Sequence, residues 1–369
     1  MPTTILVEPN PSGHRPQAVA TVAVVAARTS DVLVLTSRGA SEDPRFEENV
    51  GPLGLRVEER FDQVIPPTRE IAREIAAVCQ AEDVDRVVVL DADQALKRWW
   101  YDAPRELGIR RRGRPRVMFM LTRYPAKLKL TDWIGWRLRL PKAALALAAM
   151  ASGSLHQVAG YAGLDDMTRG WIVKRTRDPA PCSAHSRDRA AHREELGLPA
   201  DRRLVGIFGG ISERKHPHVI WEAMQRRRID ADLVLAGGLS PGVTEWVDSV
   251  GPSAHGRIIV RDGVLSNEVL DKTLAAVDVI PLVMTNNGPS GIMGKALAAH
   301  VPVVTAGSEV RAREVRAYDG GEVATIDADS IGSAIERALA RDPEAPRRNT
   351  VPPATEDEFA EIILGVRRR

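Results

Sequence analysis

Cysteine is nearly absent: Cys79 and Cys182 are the only two in 369 residues, far apart and with no metal-ligand spacing around them. That excludes a disulfide-built scaffold and fits a reducing compartment. Long hydrophobic runs are missing as well. The longest, residues 18–27, falls well short of the roughly 20 residues that a membrane-spanning helix needs. A first apolar strand at residues 3–7 leaves no room for a signal peptide, so the expected location is the cytoplasm. Nor is there an excess of charge of one sign. The 51 basic and 49 acidic residues give +2, which does not argue for nucleic acid as a partner. What is present, 44% hydrophobic and 27% charged residues in a chain of this length, describes a soluble globular protein of two domains.

The chain is organised around residues 278–305, DVIPLVMTNNGPSGIMGKALAAHVPVVT. A β-branched apolar run at 278–283 reads as a buried strand and 301–305 as the next one. Between them a polar turn with Asn286, Asn287, Gly288 and Ser290 leads into a helix starting at Gly291. Such a unit delivers free backbone N–H groups and a helix N-terminus at the carboxyl edge of a sheet, where a phosphate or diphosphate binds well. An ordinary βα turn is the plainer reading. A second loop weighs against it: the strand at 204–208 enters Gly209-Gly210-Ile211-Ser212-Glu213-Arg214-Lys215-His216, and Pro217 suits the first turn of the following helix. Arg214 and Lys215 at a helix start oppose the helix dipole, a cost that a bound anion offsets. The two loops together make a diphosphate clamp. His216 and His218 read as surface residues.

In the first half, strands at 3–7, 31–36, 86–90 and 116–121 alternate with helices at 17–28, 66–81 and up to 107, which predicts a parallel, doubly wound sheet. A further strand is expected at 170–174. Residues following the strands share one edge, so His14, Arg15, Asp91, Asp93 and Arg123 are candidates for the acceptor side. Asp91 and Asp93 fit two readings, a divalent-metal site or structural capping in which Asp93 caps the next helix; capping is the expectation. Residues 127–142 interleave Lys127, Lys129, Arg137, Arg139 and Lys142 with leucines and tryptophans. This pattern suits either peripheral contact with an anionic membrane or a solvated helix packed on its own domain. The expected domains are 1–178 and 190–345, joined by a Pro/Ser-rich linker at 179–189, with a tail helix in 346–369 packing back on the first domain.

At this point the second half resembles the donor domain of GT-B glycosyltransferases, in particular the large retaining family 4. The resemblance is carried by residues 194–305: EELGLPADRRLVGIFGGISERKHPHVIWEAM, ADLVLAGG and the unit ending KALAAHVPVV. It implies that Lys215 contacts the donor diphosphate and that Ser290 and Gly291 cradle its distal phosphate. It further implies that Gly13 lies in a flexible loop beside donor and acceptor, and that the nucleotide base lies near residues 261–265, including Asp262 and Val264. Two glutamates that the family often carries eight positions apart are replaced by Asn287 and Lys295. The arginine usual after the loop's first glycine is Gly210, with Arg214 standing near. The expected fold is α/β, with two Rossmann-like doubly wound parallel-sheet domains facing a central crevice. The expected activity is transfer of a sugar from a nucleotide-diphosphate donor, UDP- or GDP-linked, to a hydroxyl of a small-molecule, glycan or lipid-linked acceptor. Lys215, Arg214 and His14 would be catalytic, with no cofactor and no metal. A nucleotide-sugar epimerase or hydrolase, and a non-catalytic sugar-nucleotide-binding subunit, are the alternatives. The first would convert donor without acceptor, the second would bind and convert nothing.

Overall fold

The computed structural model describes residues 1–108, 115–125, 128, 130–251, 253, 255–286, 288–342, 345 and 347–366. It comprises two compact units: Met1–Ala162 with Asp166–Pro179 and Ala354–Arg369, and Ala180–Pro353 with Gly163–Asp165.

Unit 1 is built on β1 (Thr3–Val7), β2 (Asp31–Ser37), β3 (Arg56–Phe61), β4 (Val84–Val89), β5 (Arg116–Leu121), β6 (Gln157–Ala162) and β7 (Val173–Arg177). They form one parallel sheet in the order β3-β2-β1-β4-β5-β6-β7. The helices are α1 (Arg15–Ala26), α2 (Pro44–Val50), α3 (Thr68–Ala81), α4 (Leu96–Leu107) and α5 (Trp133–Ala151), together with the terminal helix Glu356–Leu364. Successive strand residues point to opposite faces, and the cores divide accordingly. Val7, Leu35, Val87 and Phe119 pack with Ile75 of α3 and Trp99 of α4 on one side. Leu6, Val34, Val88 and Met120 pack with Val19 and Val22 of α1 and with Phe359 and Ile363 on the other. Burial on both faces explains why the central strands β1, β2, β4 and β5 are mostly apolar.

Unit 2 contains β8 (Arg203–Phe208), β9 (Ala231–Ala236), β10 (Ile258–Arg261), β11 (Ile280–Val283), β12 (Val303–Ala306) and β13 (Gly321–Ala324). Two parallel three-stranded sheets, β10-β9-β8 and β11-β12-β13, are joined by a parallel bridge between Val205 and Val279. Its helices are α6 (Arg189–Glu195), α7 (Pro217–Arg226), α8 (Pro241–Ser249), α9 (Asn267–Ala276), α10 (Gly291–Ala298), α11 (Glu309–Tyr318) and α12 (Ala328–Leu339). Their starts follow local chemistry: Pro217 and Pro241 occupy first-turn positions, and the side chains of Ser266, Ser290, Ser308 and Asp327 accept N–H bonds from the first turns of α9, α10, α11 and α12.

Both units are Rossmann-like. In each, strand order reverses at one point, between β1 and β4 in unit 1 and between β8 and β11 in unit 2. Doubly wound sheets bind ligands beyond the strand ends at that point. The strand expected at 170–174 is instead β7, so residues 175–177 belong to the sheet. Elements without a counterpart in the sequence reading are α2, β3, β6, α11 and β13.

Candidate functional site

At the switch point of unit 2, β8 ends at Phe208 and the chain turns through Gly209 in the left-handed region, φ +77. The loop packs backbone to backbone on the end of β9: a Cβ on Gly237, itself at φ +133, would sit 2.3 Å from the Gly209 carbonyl oxygen. Gly210 faces open space. Lys215 folds back so that its Nζ donates to the Phe208 carbonyl at the strand end. Burial, and then the charge of Arg214, lower its ammonium from 10.5 to about 8. Arg214 itself is exposed. On β10's side of this edge, the Asp262 carboxylate is taken up by the loop, accepting from Leu239 N–H (2.9 Å) and Gly263 N–H (2.8 Å). Val264 is 68% exposed. The Arg261 guanidinium donates to the Leu196 carbonyl.

Across the switch point, β11 leads into the loop before α10. Ser290 caps the helix, its Oγ accepting from Met293 N–H at 3.4 Å, while its carbonyl accepts from Gly294 N–H at 3.1 Å. The N–H groups of Gly291 and Ile292 have no acceptor among the described residues, as first-turn donors have none within the helix. Asn286 and Gly288 are drawn the other way, toward Arg311 of α11. The Asn286 backbone carbonyl accepts at 3.0 Å, its side-chain Oδ1 at 3.4 Å and the Gly288 carbonyl at 3.3 Å. Asn287 lies outside the described residues. Lys295, which the resemblance aligns with one of the family's glutamates, is turned inward. It is buried in an ion pair with Asp271 (2.7 Å) and a bond to the Pro181 carbonyl (2.7 Å), while Asp271 also accepts from Ser183 N–H at 2.8 Å. This buried pair pins the start of unit 2 to α9 and α10.

Unit 1 gathers a second set at its own switch point. Gly13 is left-handed, φ +74, and His14 precedes α1 with its ring 6.4 Å from that of Tyr161. Arg15 grips one carboxylate oxygen of Asp91 with Nε (3.0 Å) and Nη2 (2.8 Å). Thr122 Oγ1 donates to the other Asp91 oxygen at 3.1 Å. Asp93 does not cap α4, whose cap position is Ala95 with no side-chain bond. It instead fastens the turn after β5, accepting from Thr122 N–H (2.7 Å) and Arg123 N–H (3.1 Å). The turn's own N–H groups are nearer to it than the helix start, and Lys142 of α5 completes the knot by bridging Asp93 and the Arg123 carbonyl. The Arg123 side chain remains exposed.

Sequence reasoning passed over Glu8, although it directly follows β1 on this edge. Its carboxyl is almost fully buried and accepts from Asn10 N–H at 3.0 Å. Burial raises it from 4.5 to about 8, with the charge of Asp91 adding to the effect and Asn10 and Arg15 opposing it. The Arg15 Nε is 4.0 Å away. Thr122 and Arg311 were also missed.

No family model matches the chain. A stretch of 133 residues, 35% of the chain, is 32% identical to the D-inositol 3-phosphate glycosyltransferase of Xylanimonas cellulosilytica, and spans 31% of that relative's length. Among solved structures, Anabaena HepE in complex with UDP-glucose superposes with a TM-score of 0.62 at 14% identity, over 98% of this chain and 95% of that one. The sucrose-phosphate synthase of Thermosynechococcus elongatus gives 0.61 at 15%, over 99% and 95%. The chain has the GT-B fold. At these identities the structural likeness concerns the fold, and within it the two switch-point loops of unit 2 occupy the position where doubly wound domains hold phosphates.

Proposed function

We propose that this GT-B chain is a glycosyltransferase of the retaining family 4 type, moving a sugar from a nucleotide-diphosphate donor to an acceptor hydroxyl. One observation carries the reading. Lys215 and the unpartnered N–H groups of Gly291 and Ile292 flank a single switch point, and neither Lys215 nor Arg214 has a carboxylate partner among the described residues. The bond between the anomeric carbon and the diphosphate oxygen breaks while a bond to the acceptor oxygen forms, and the acceptor's proton is released. Negative charge grows on the departing diphosphate, where Lys215, Arg214 and the α10 N-terminus lower its energy. Gly209 and Gly210 let the backbone approach the phosphates, and Asp262 and Val264 border the place for the base. His14 and Arg123 are left to orient an acceptor, since Arg15, Asp91 and Asp93 are engaged with one another and with Thr122 and Lys142. Support comes from the D-inositol 3-phosphate glycosyltransferase match and from HepE, crystallised with UDP-glucose. A thermal-shift panel of UDP-, GDP- and ADP-sugars tests it. One class at a hundredfold excess over its Kd should add roughly 2.7 kcal/mol of apparent stability, whereas no shift with any class would exclude the reading.

The acceptor is proposed to be lipid-linked, reached from an anionic membrane surface. Helix α5 leaves Trp133 (71% exposed), Ile134 (75%), Leu138 (51%), Leu140 (59%) and Leu147 (49%) uncovered, interspersed with the exposed Arg137. These positions follow one side of the helix, an arrangement suited to lying in the interface plane. Lys127 and Lys129 lie outside the described residues. No helix among the described residues is long and apolar enough to cross a membrane. Co-sedimentation with phosphatidylglycerol vesicles, and its loss in W133S/I134S/L138S, is expected; equal binding to phosphatidylcholine vesicles, or none to either, overturns it.

A further inference from the structure

Helix α11 carries a charge that no ion pair among the described residues balances. Arg311 is fully buried, at 0% exposure. Among the described residues its guanidinium meets only carbonyl-type oxygens, all from one loop: Nη2 donates to the Met284 carbonyl (2.6 Å), and Nη1 to those of Asn286 (3.0 Å) and Gly288 (3.3 Å) and to Asn286 Oδ1 (3.4 Å). Its Nε is buried too, with no partner among the described residues. Glu314, less than one turn along the same helix, accepts from Leu164 N–H at 2.7 Å and makes no ion pair with Arg311 among the described residues. An isolated buried cation is costly, by several kcal/mol per ion even after relaxation. Burial pulls the Arg311 guanidinium down to about 10, with Glu314 opposing.

The acceptors of Arg311 lie in the loop that leads into the N-terminus of α10. In a trans peptide the C=O and the following N–H point in opposite directions. Drawing the Met284 carbonyl inward therefore turns the Thr285 N–H away from the guanidinium. The arginine thus shapes the loop from within, and its positive charge lies behind the Thr285 N–H.

We infer that Arg311 is a positioning residue of the nucleotide-diphosphate site, holding Met284, Asn286 and Gly288 in their binding geometry and supplying buried positive charge that the diphosphate balances. This rests on the donor reading above. It is tested with the full-length chain by calorimetric titration of wild type, R311Q and R311K with UDP and uridine, and with GDP and guanosine. The expected result is that R311Q loses about tenfold or more in diphosphate affinity, the worth of a hydrogen-bonded charge, while nucleoside affinity stays within about twofold. R311K keeps the charge and should lose less. Unchanged diphosphate affinity in R311Q overturns the inference, as does an equal loss for nucleoside and diphosphate, which would mark a prop of the fold alone. If R311Q fails to fold, R311K decides: a loss confined to the diphosphate supports the inference, and no loss or an equal loss overturns it. A wild type that binds neither diphosphate removes the donor reading instead.

Discussion

Replacing Lys215 by methionine should make the protein more stable and disable it at the same time. Burial, aided by Arg214, lowers the Lys215 ammonium from 10.5 to about 8. At 1.36 kcal/mol per pH unit, this sets roughly 3 kcal/mol against the charged form in the folded state. The sign follows from linkage. The folded chain holds this proton less tightly than the unfolded chain, so stability is greatest above 10.5, declines as pH falls to about 8, and bears the whole penalty at pH 7. Methionine keeps an apolar stem in the same place and carries no charge. It gives up the bond to the Phe208 carbonyl, worth about 1 kcal/mol net where water can take over. The balance is a gain of about 1–2 kcal/mol at pH 7 that shrinks toward zero by pH 10. Turnover should fall by roughly 10²-fold or more, the cost of removing a donor aimed at developing negative charge. Urea unfolding at both pH values and steady-state rates with the nucleotide sugar selected by thermal shift provide the two readouts. A K215M protein less stable than wild type at pH 7, or one turning over within about threefold of it, would refute the reasoning.

Glu8 predicts the opposite pH dependence. Its folded value is raised from 4.5 to about 8, so its contribution is fully present below 4.5 and is lost as pH rises to about 8. E8Q, which can still accept from Asn10 N–H, should be more stable than wild type by on the order of 2–4 kcal/mol at pH 8 and nearly equal at pH 4.5. Parallel unfolding curves across that range would show that Glu8 is not buried as described. D271N leaves Lys295 buried without its anion and should cost about 3–5 kcal/mol, most of it recovered in D271N/K295M. Urea midpoints check this, and a double variant as weak as D271N would mean that the ion pair is not the source of the loss.

Sequence was informative wherever one apolar face sets the period. Residues 116–121 coincide with β5, and Ser266 and Ser290 cap their helices because a serine before an apolar period has little else to do. The failures have physical causes. The residues of α11 that turn inward are Arg311, Ala312, Glu314 and Val315, so half its buried face is polar and no hydrophobic period shows. The edge strand β3, RVEERF, is exposed along most of its length and so carries few apolar residues. Asp93 illustrates a different limit: a carboxylate between a strand and a helix serves whichever N–H groups the fold brings nearest, and here those belong to a turn 29 residues later. Lys295 illustrates it again, since the resemblance aligned it with a glutamate of the family, whereas its partner is Asp271 of the preceding helix.

In the proposed reaction, charge favours unit 2 as the place of the diphosphate. On the edge of unit 1 every carboxylate is answered, leaving the exposed Arg123 side chain: Asp91 is held by Arg15, Asp93 by Lys142, and buried Glu8 is pushed toward its neutral form. On the edge of unit 2, Lys215 and Arg311 spend their hydrogen bonds on carbonyl oxygens, and neither they nor Arg214 form an ion pair among the described residues. The first-turn N–H groups of α10 add a further partial positive charge. A diphosphate brought to unit 1 would have to compete with carboxylates already in place, whereas in unit 2 it meets cations whose burial becomes less costly once it arrives. Under the proposed function the edge of unit 1, its carboxylates already engaged, suits a hydroxyl-bearing acceptor that His14 can bond. The division of labour proposed for the two units therefore has a basis in their ion pairs, independent of any likeness in sequence.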